Sequence, residues 1–401
     1  MLKNRILLIL LAIFLIIGTG CAGAELPGTT DADTQTSQPT APDNLIILDK
    51  DGRQIGNISG NADFTATDKG IFYSVVTMKE NSFTGVAEYR LFSFDDNKDH
   101  FLGKLEEQGY EASYGRVELN GLIYTTAVKG SPYGDSPASL LLLAFDPAKG
   151  TMKTYTVTDY GFPYTSVTTV NGKLLIMNHE MTDDETDKIY RYDPDTEKIE
   201  QVLSFSRKTD SLRGVYGTDD GFYLLRLKIN GGAENELYID KYDNNINKKE
   251  VKSVNGVLAD AVMTIHGITG RQDALNELGM YVSRFALIDG RYLIYENFGL
   301  SRVIADLQSG NTLFANDDNY AVSTGGGDPV LYRIDFNWGG DSEPEISGIE
   351  NGKLKRLSFK PDDSHKMIQR VSRSKSATFV IMTSDDYPIR NGTAVIHVWM
   401  Q

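Results

Sequence analysis

Asn171-Gly172-Lys173-Leu174-Leu175, followed by Lys188-Ile189-Tyr190-Arg191-Tyr192-Asp193-Pro194, is the stretch on which the fold turns. Asn-Gly favours a tight hairpin turn, because both residues tolerate positive φ. The apolar run after it and the alternating run before Asp193 read as strands, since a period of two sends successive side chains to opposite faces of a sheet. Asp-Pro then marks another turn. Two hairpins in series are therefore expected within one unit.

The same signals recur on both sides. The turn-then-strand signal appears at Asp68-Lys69-Gly70-Ile71, Asn120-Gly121-Leu122-Ile123, Asp219-Asp220-Gly221-Phe222 and Asp289-Gly290-Arg291-Tyr292. Successive glycines from Gly70 through Gly172 to Gly290 are 51, 51, 49 and 69 residues apart. Each is followed by a strand ending in aspartate: Phe94-Asp95, Phe145-Asp146, Tyr192-Asp193, Tyr242-Asp243 and Ala305-Asp306. A lone four-stranded unit leaves apolar faces wet, and stacking such units in a ring buries them. The fold class expected is all-β: a β-propeller of seven blades of four antiparallel strands over 44–401, with six or eight blades left open by the spacing. A sixth unit is read over 319–359 and a seventh from Met367. The seventh runs out of chain before its fourth strand, and Leu45–Ile58 is available to fill the gap. The long fourth interval includes an insertion over 255–280, where Thr269–Leu278 has the composition of a short helix with Thr269 as N-cap.

The N-terminus carries an address. Lys3 and Arg5 precede an unbroken apolar run of 12 residues, Ile6 to Ile17. That is short of the roughly 20 residues a spanning helix needs and suits a signal peptide. Gly18-Thr19-Gly20-Cys21 resembles the lipobox of bacterial lipoproteins, although Gly18 stands where that family usually has Leu. The resemblance implies cleavage after residue 20 and a lipidated Cys21, held in the bilayer on the extracytoplasmic face of the cell membrane. Cys21 is the only cysteine, so neither an internal disulfide nor a cysteine metal site is available. Residues 22–43 hold one large apolar side chain among Thr, Ala, Pro, Asp, Ser and Gln, and read as a flexible tether like those of Gram-positive surface lipoproteins. Tyr192-Asp193-Pro194-Asp195-Thr196-Glu197-Lys198 resembles the inter-strand turn of many bacterial propellers. Taken whole, the chain is similar to bacterial surface lipoproteins that carry a divergent β-propeller domain of unknown function.

Removing Lys3 and Arg5 leaves 38 basic against 55 acidic residues, a net charge of −17. Such a surface repels nucleic acid and anionic lipid at long range. Chemistry-bearing motifs are scarce. The five histidines show no metal-binding spacing, no G-x-S-x-G elbow occurs, and Gly325-Gly326-Gly327 lacks a following lysine. Asp95/Asn97/Asp99, Asp193/Asp195/Glu197 and Asp243/Asn245/Asn247 have spacing that suits Ca²⁺. They lack the glycine and distal glutamate of a full calcium loop, and Asp and Asn at tight turns more often cap backbone N–H groups. No cofactor is therefore assigned.

The connections suggest a functional face. In a propeller the links from second to third strand share one face with the links between blades. The former are the longer in most units and carry Phe83, Tyr133, Asp135, Asp183, Asp184, Trp338, Asp341, Asp385 and Tyr387; the latter carry Tyr160, Phe162 and Tyr164. Aromatics beside carboxylates suit sugar rings, whose apolar faces stack while their hydroxyls donate to acids. They equally suit a peptide or envelope-protein partner. The expectation is a non-catalytic binding or scaffolding module. The rivals are an extracellular glycan hydrolase or lyase using a dispersed carboxylate pair, and a structural subunit of a membrane complex.

Overall fold

The computed structural model describes residues 44–401 except 50, 60–62, 80–81, 83, 110–115, 132–137, 163–164, 181–184, 230–235, 267–268, 271–283, 289, 298–300, 317–319, 324–329, 334–344, 351–352, 358–366, 374–376, 384–393 and 401. The chain lays down one four-stranded antiparallel meander after another, the first two joined into one eight-stranded sheet where Gln108 pairs with Lys129. In chain order these blades occupy 63–109, 116–158, 166–206, 210–253, 284–316 and 320–356. A seventh is built from Met367–Arg373, Ala377–Thr383 and Ala394–Met400.

The seventh blade is finished by the start of the domain. Asn44–Leu48 adds to Ala394–Met400, with Ile46 opposite Val395 and Ile47 opposite Ile396, and Gln54–Ser59 then pairs back on Asn44–Leu48. The blade has five strands, one more than the others, and the latch strand runs parallel to its neighbour. A connection between strands far apart in sequence is free of the hairpin geometry that imposes antiparallel pairing.

Among the described residues, seven apolar clusters lie between neighbouring blades, and together they close the ring. Leu91 and Phe72 of the first blade meet Leu141 and Phe145 of the second. Tyr124 and Leu142 of the second meet Leu174 and Tyr190 of the third, which in turn sets Leu175 and Ile189 against Leu224 and Phe222 of the fourth. The series continues through Ile294 against Leu331 and Tyr332 against Ile368. It ends with Ile47 and Ile396 against Ile71 and Tyr73 of the first blade. Alternation within each strand makes this work. Leu174 and Ile176 face one neighbouring blade while Leu175 and Met177 face the other.

The local signals behave as their chemistry requires. Asn171 and Gly172 take φ of 46° and 72°, the left-handed geometry of a two-residue hairpin. In the second to fifth blades the aspartate closing the third strand caps the turn that follows. Asp146 Oδ1 accepts from the N–H of Ala148 and Lys149, Asp193 Oδ1 from Asp195, and Asp306 Oδ1 from Gln308.

The expected insertion holds a helix over Asn255–His266; of the expected Thr269–Leu278 segment, 269–270 are irregular and 271–278 lie outside the described residues. Val254, Leu258, Ala259 and Ala261 join the cluster between the fourth and fifth blades, alongside Leu225 and Leu293. Asn255-Gly256 reads as a turn, which hides this helix. Asn255 instead accepts the N–H of Leu237 on Oδ1, tying the helix start to the fourth blade.

Candidate functional site

Of the residues expected on the loop-rich face, Tyr160 and Phe162 are among the described residues. Phe83, Tyr133, Asp135, Tyr164, Asp183, Asp184, Trp338, Asp341, Asp385 and Tyr387 lie outside them, as does Cys21. Tyr160 is 50% exposed, one of few large apolar side chains so placed among the described residues, and Phe162 is half-buried. Both sit on the link from the second blade to the third.

That link is held from below. Asn178, at the end of Lys173–His179, is fully buried and uses both ends of its amide on the loop. Its Nδ2 donates to the carbonyl of Tyr160 at 3.0 Å, and its Oδ1 accepts the N–H of Phe162 at 3.2 Å. Gly161 donates its N–H to the carbonyl of Ala138 at 2.6 Å. A Cβ at this glycine would stand 2.5 Å from the backbone nitrogen of Leu140, so only glycine permits the loop to lie this close to the blade. Thr158 Oγ1 accepts the N–H of Tyr160. The aromatic ring of Tyr160 thus reaches solvent from a backbone bonded at three consecutive residues.

Beside Asn178 the same strand end carries two further polar groups. Glu180, 3% exposed, accepts from Tyr190 Oη at 2.8 Å and from Lys188 Nζ at 2.7 Å. Burial pushes the Tyr190 hydroxyl well above the usual phenol range, so it acts as a donor. His179 turns the opposite way, towards the fourth blade, and meets the fully buried Asp187. The distance from His179 Nδ1 to Asp187 Oδ1 is 2.6 Å, and an acceptor-only carboxylate sets the Nδ1–H tautomer. Asp187 Oδ2 accepts the N–H of Leu212 at 2.7 Å, and Arg207 Nε stands 3.5 Å from Oδ1. Asp187 therefore ties the third blade to the first strand of the fourth. Both carboxylates beneath this part of the face serve to brace it.

Asn178, Glu180 and Asp187 were not singled out in the sequence. The available signal was the abrupt change from Leu174-Leu175-Ile176-Met177 to Asn178-His179-Glu180, three polar groups where a buried strand meets a loop.

On the opposite face the three aspartate-rich turns act as braces. Asp243 Oδ1 accepts from the N–H of Asn245 and of Asn247, each at 2.9 Å, while Lys249 Nζ lies 2.8 Å from Oδ2. These bonds hold the Asp243 carboxyl well below the usual carboxylate range, with the lysine the largest cause. Lys173 acts likewise on Asp193 at 2.6 Å. In the first blade Asp96, one residue beyond Asp95, caps Lys98, and Asp99 pairs with Arg90 at 2.7 Å. Among the described residues no three His, Cys, Asp or Glu side chains group as a metal ion would need, and no helix is long and apolar enough to cross a membrane.

No family model matches the chain, and no curated protein is similar to it in sequence. Among solved structures it is similar to the acylaminoacyl peptidase of Pyrococcus horikoshii, at 10% identity and a TM-score of 0.44, over 71% of this chain and 44% of that one. The chain thus spans less than half the length of that peptidase. The β-propeller domain of the Trilobed protease from Pyrococcus furiosus matches at 9% identity and a TM-score of 0.43, over 72% of this chain and 80% of that one. Polysaccharide lyase Uly1 matches at 9% identity and a TM-score of 0.44, over 85% and 93%. At such identities and scores none of them bears on what this chain binds.

Proposed function

We propose that the chain is a non-catalytic binding module whose loop-rich face captures an extracellular glycan, peptide or envelope protein. The observation that carries this reading is the exposed Tyr160 ring on a loop clamped by the buried Asn178. An aromatic held before the ligand arrives loses little freedom on binding, and such residues dominate contact energetics. Glu180 and Asp187, the buried carboxylates near this loop, are engaged by lysine, tyrosine, arginine, histidine and backbone partners. That favours binding over hydrolysis by an acid pair. The lipobox-like Gly18-Thr19-Gly20-Cys21 supports anchoring at the outer side of a bacterial membrane by acyl chains on Cys21.

Glycan and peptide arrays probed with the full chain, followed by crosslinking on cells, identify the ligand class. Tyr160→Ala should weaken capture at least about tenfold with an unchanged unfolding midpoint, whereas Tyr160→Phe should retain most of it. Capture that is indifferent to Tyr160→Ala would move the site away from this loop. Cys21→Ser should shift the protein out of the membrane fraction, and retention there would refute the lipid anchor.

A further inference from the structure

A second feature lies between the third and fourth blades, on the face opposite Tyr160. It is a cleft of ≈ 200 Å³. Leu175 and Phe222 belong to its apolar floor, Lys173 and Arg191 line one wall, and the turn Asn244-Asn245-Ile246 lines the other. At about 30 Å³ per water the space equals that of some six to seven waters, enough for one small ring and too little for a chain.

The turn on its wall is unlike its counterparts. In the first, second, third and fifth blades the third and fourth strands are joined by four residues, and the fourth takes positive φ: Asn97, Gly150, Glu197 and Gly310, at 53° to 73°. In the fourth blade the positive φ falls one residue earlier, on Ile246 at 65°. A β-branched residue is strained there, and such strain persists only where the surroundings impose it. Asp243 does so, by gripping the N–H groups of Asn245 and Asn247. The result brings Ile246 against the cluster formed by Phe222 and Leu175. The same turn leaves Asn244 Oδ1 shielded from water and without a hydrogen-bond partner among the described residues. Two costs, a strained isoleucine and an orphaned amide, fall on one cleft. Asn244 lines the cleft with this unmet acceptor, which a ligand hydroxyl reaching it would satisfy.

The charges narrow the ligand. Lys173 is paired with Asp193, and Arg191 donates from Nε and Nη2 to Glu200 Oε1. Each cation is already neutralised, so the cleft holds donors without net positive charge, and a free carboxylate or phosphate gains little there. We propose that this cleft is a binding subsite for a single neutral pyranose unit. Its hydroxyls donate to the Asn244 amide and accept from Lys173 and Arg191, and its apolar face lies over Ile246 and Leu175. This subsite is independent of the Tyr160 face.

Saturation-transfer NMR on the full chain with glucose, N-acetylglucosamine and glucuronate tests it. Transfer to one or both neutral sugars is expected, saturable at millimolar concentration and stronger than to glucuronate. Asn244→Ala and Ile246→Gly should each weaken it about tenfold without loss of the folded state by circular dichroism, and Tyr160→Ala should leave it unchanged. Absence of transfer to either neutral sugar overturns the proposal. So does stronger transfer to glucuronate, or transfer that survives both cleft variants and is lost in Tyr160→Ala. The last outcome would retain the loop-face reading while removing this one.

Discussion

Replacing Asn178 by alanine tests whether the Tyr160 loop is held or merely resting. The side chain is fully buried, and it makes two hydrogen bonds to backbone groups 16 and 18 residues away. At about 1 kcal/mol net for each bond, plus a smaller amount for the space left behind, the loop should lose about 2–3 kcal/mol. The stranded groups add little more, because Phe162 is only half-buried and water reaches the opened loop. A loss of about 2–3 kcal/mol raises the open population by roughly 30- to 150-fold. Amide hydrogen exchange over 158–162 should accelerate by that factor while the strands of the first and fifth blades keep their rates. Ligand capture should fall with it although Tyr160 is intact. Asn178→Asp supplies the control. The new carboxyl can still accept the Phe162 N–H, but its charged form faces the carbonyl of Tyr160. Burial raises its pKa above the usual carboxylate value, so stability is fully present below about pH 4 and is lost as pH rises through the raised value. At neutral pH this variant should be less stable than Asn178→Ala, and at low pH the order should reverse. Unchanged exchange at 158–162 in Asn178→Ala would refute the clamp. So would uniform acceleration across the whole ring, which would make Asn178 an ordinary core residue.

Three further outcomes follow from named contacts. Asp187→Ala strands His179 and the Leu212 N–H and removes the carboxylate beside Arg207 at the junction of the third and fourth blades; it should cost about 3 kcal/mol in urea unfolding, and a change under 1 kcal/mol would remove Asp187 as an inter-blade tie. The Arg291 guanidinium, donating from Nε at 3.0 Å and Nη2 at 2.9 Å, holds the buried Asp306 carboxyl down to about 2. A folded value below the unfolded one gives stability that is present above about pH 4 and lost as pH falls towards 2. With Arg291 39% exposed the pair is worth about 1 kcal/mol, so Asp306→Asn should lower neutral-pH stability by that amount and flatten the acid limb of the stability profile. Ile47→Ala, at a fully buried position of the latch strand, should cost about 3 kcal/mol, whereas Val251→Ala on an exposed outer strand should stay within about 0.5 kcal/mol; similar values for the two would contradict closure by the N-terminal strand.

Much of the architecture was legible because it is encoded over short distances. Asn-Gly at 171–172, the alternating Lys188–Tyr192 run and the terminal Asp193 each act through φ preference, pleat period or a side-chain cap within four residues. Repetition of those signals implied stacked blades, since a lone unit could not bury its own faces. The aromatic content of the link carrying Tyr160 and Phe162 was equally visible, as was the need for a segment near Leu45 to complete the last blade.

The remainder was decided by contacts that no window of sequence contains. The latch strand chose parallel pairing because its partner Ala394–Met400 comes from the other end of the ring, with no hairpin to dictate direction. The helix formed over Asn255–His266 because Val254, Leu258 and Ala261 found a cluster supplied by two blades, and that burial overrode a local turn signal. Asn178 became a clamp, Asp187 a tie and Ile246 a strained cleft wall only once neighbouring blades were in place. Hydrogen bonds within a turn depend on adjacent residues, whereas burial and orphaned polar atoms depend on what the closed ring brings against them.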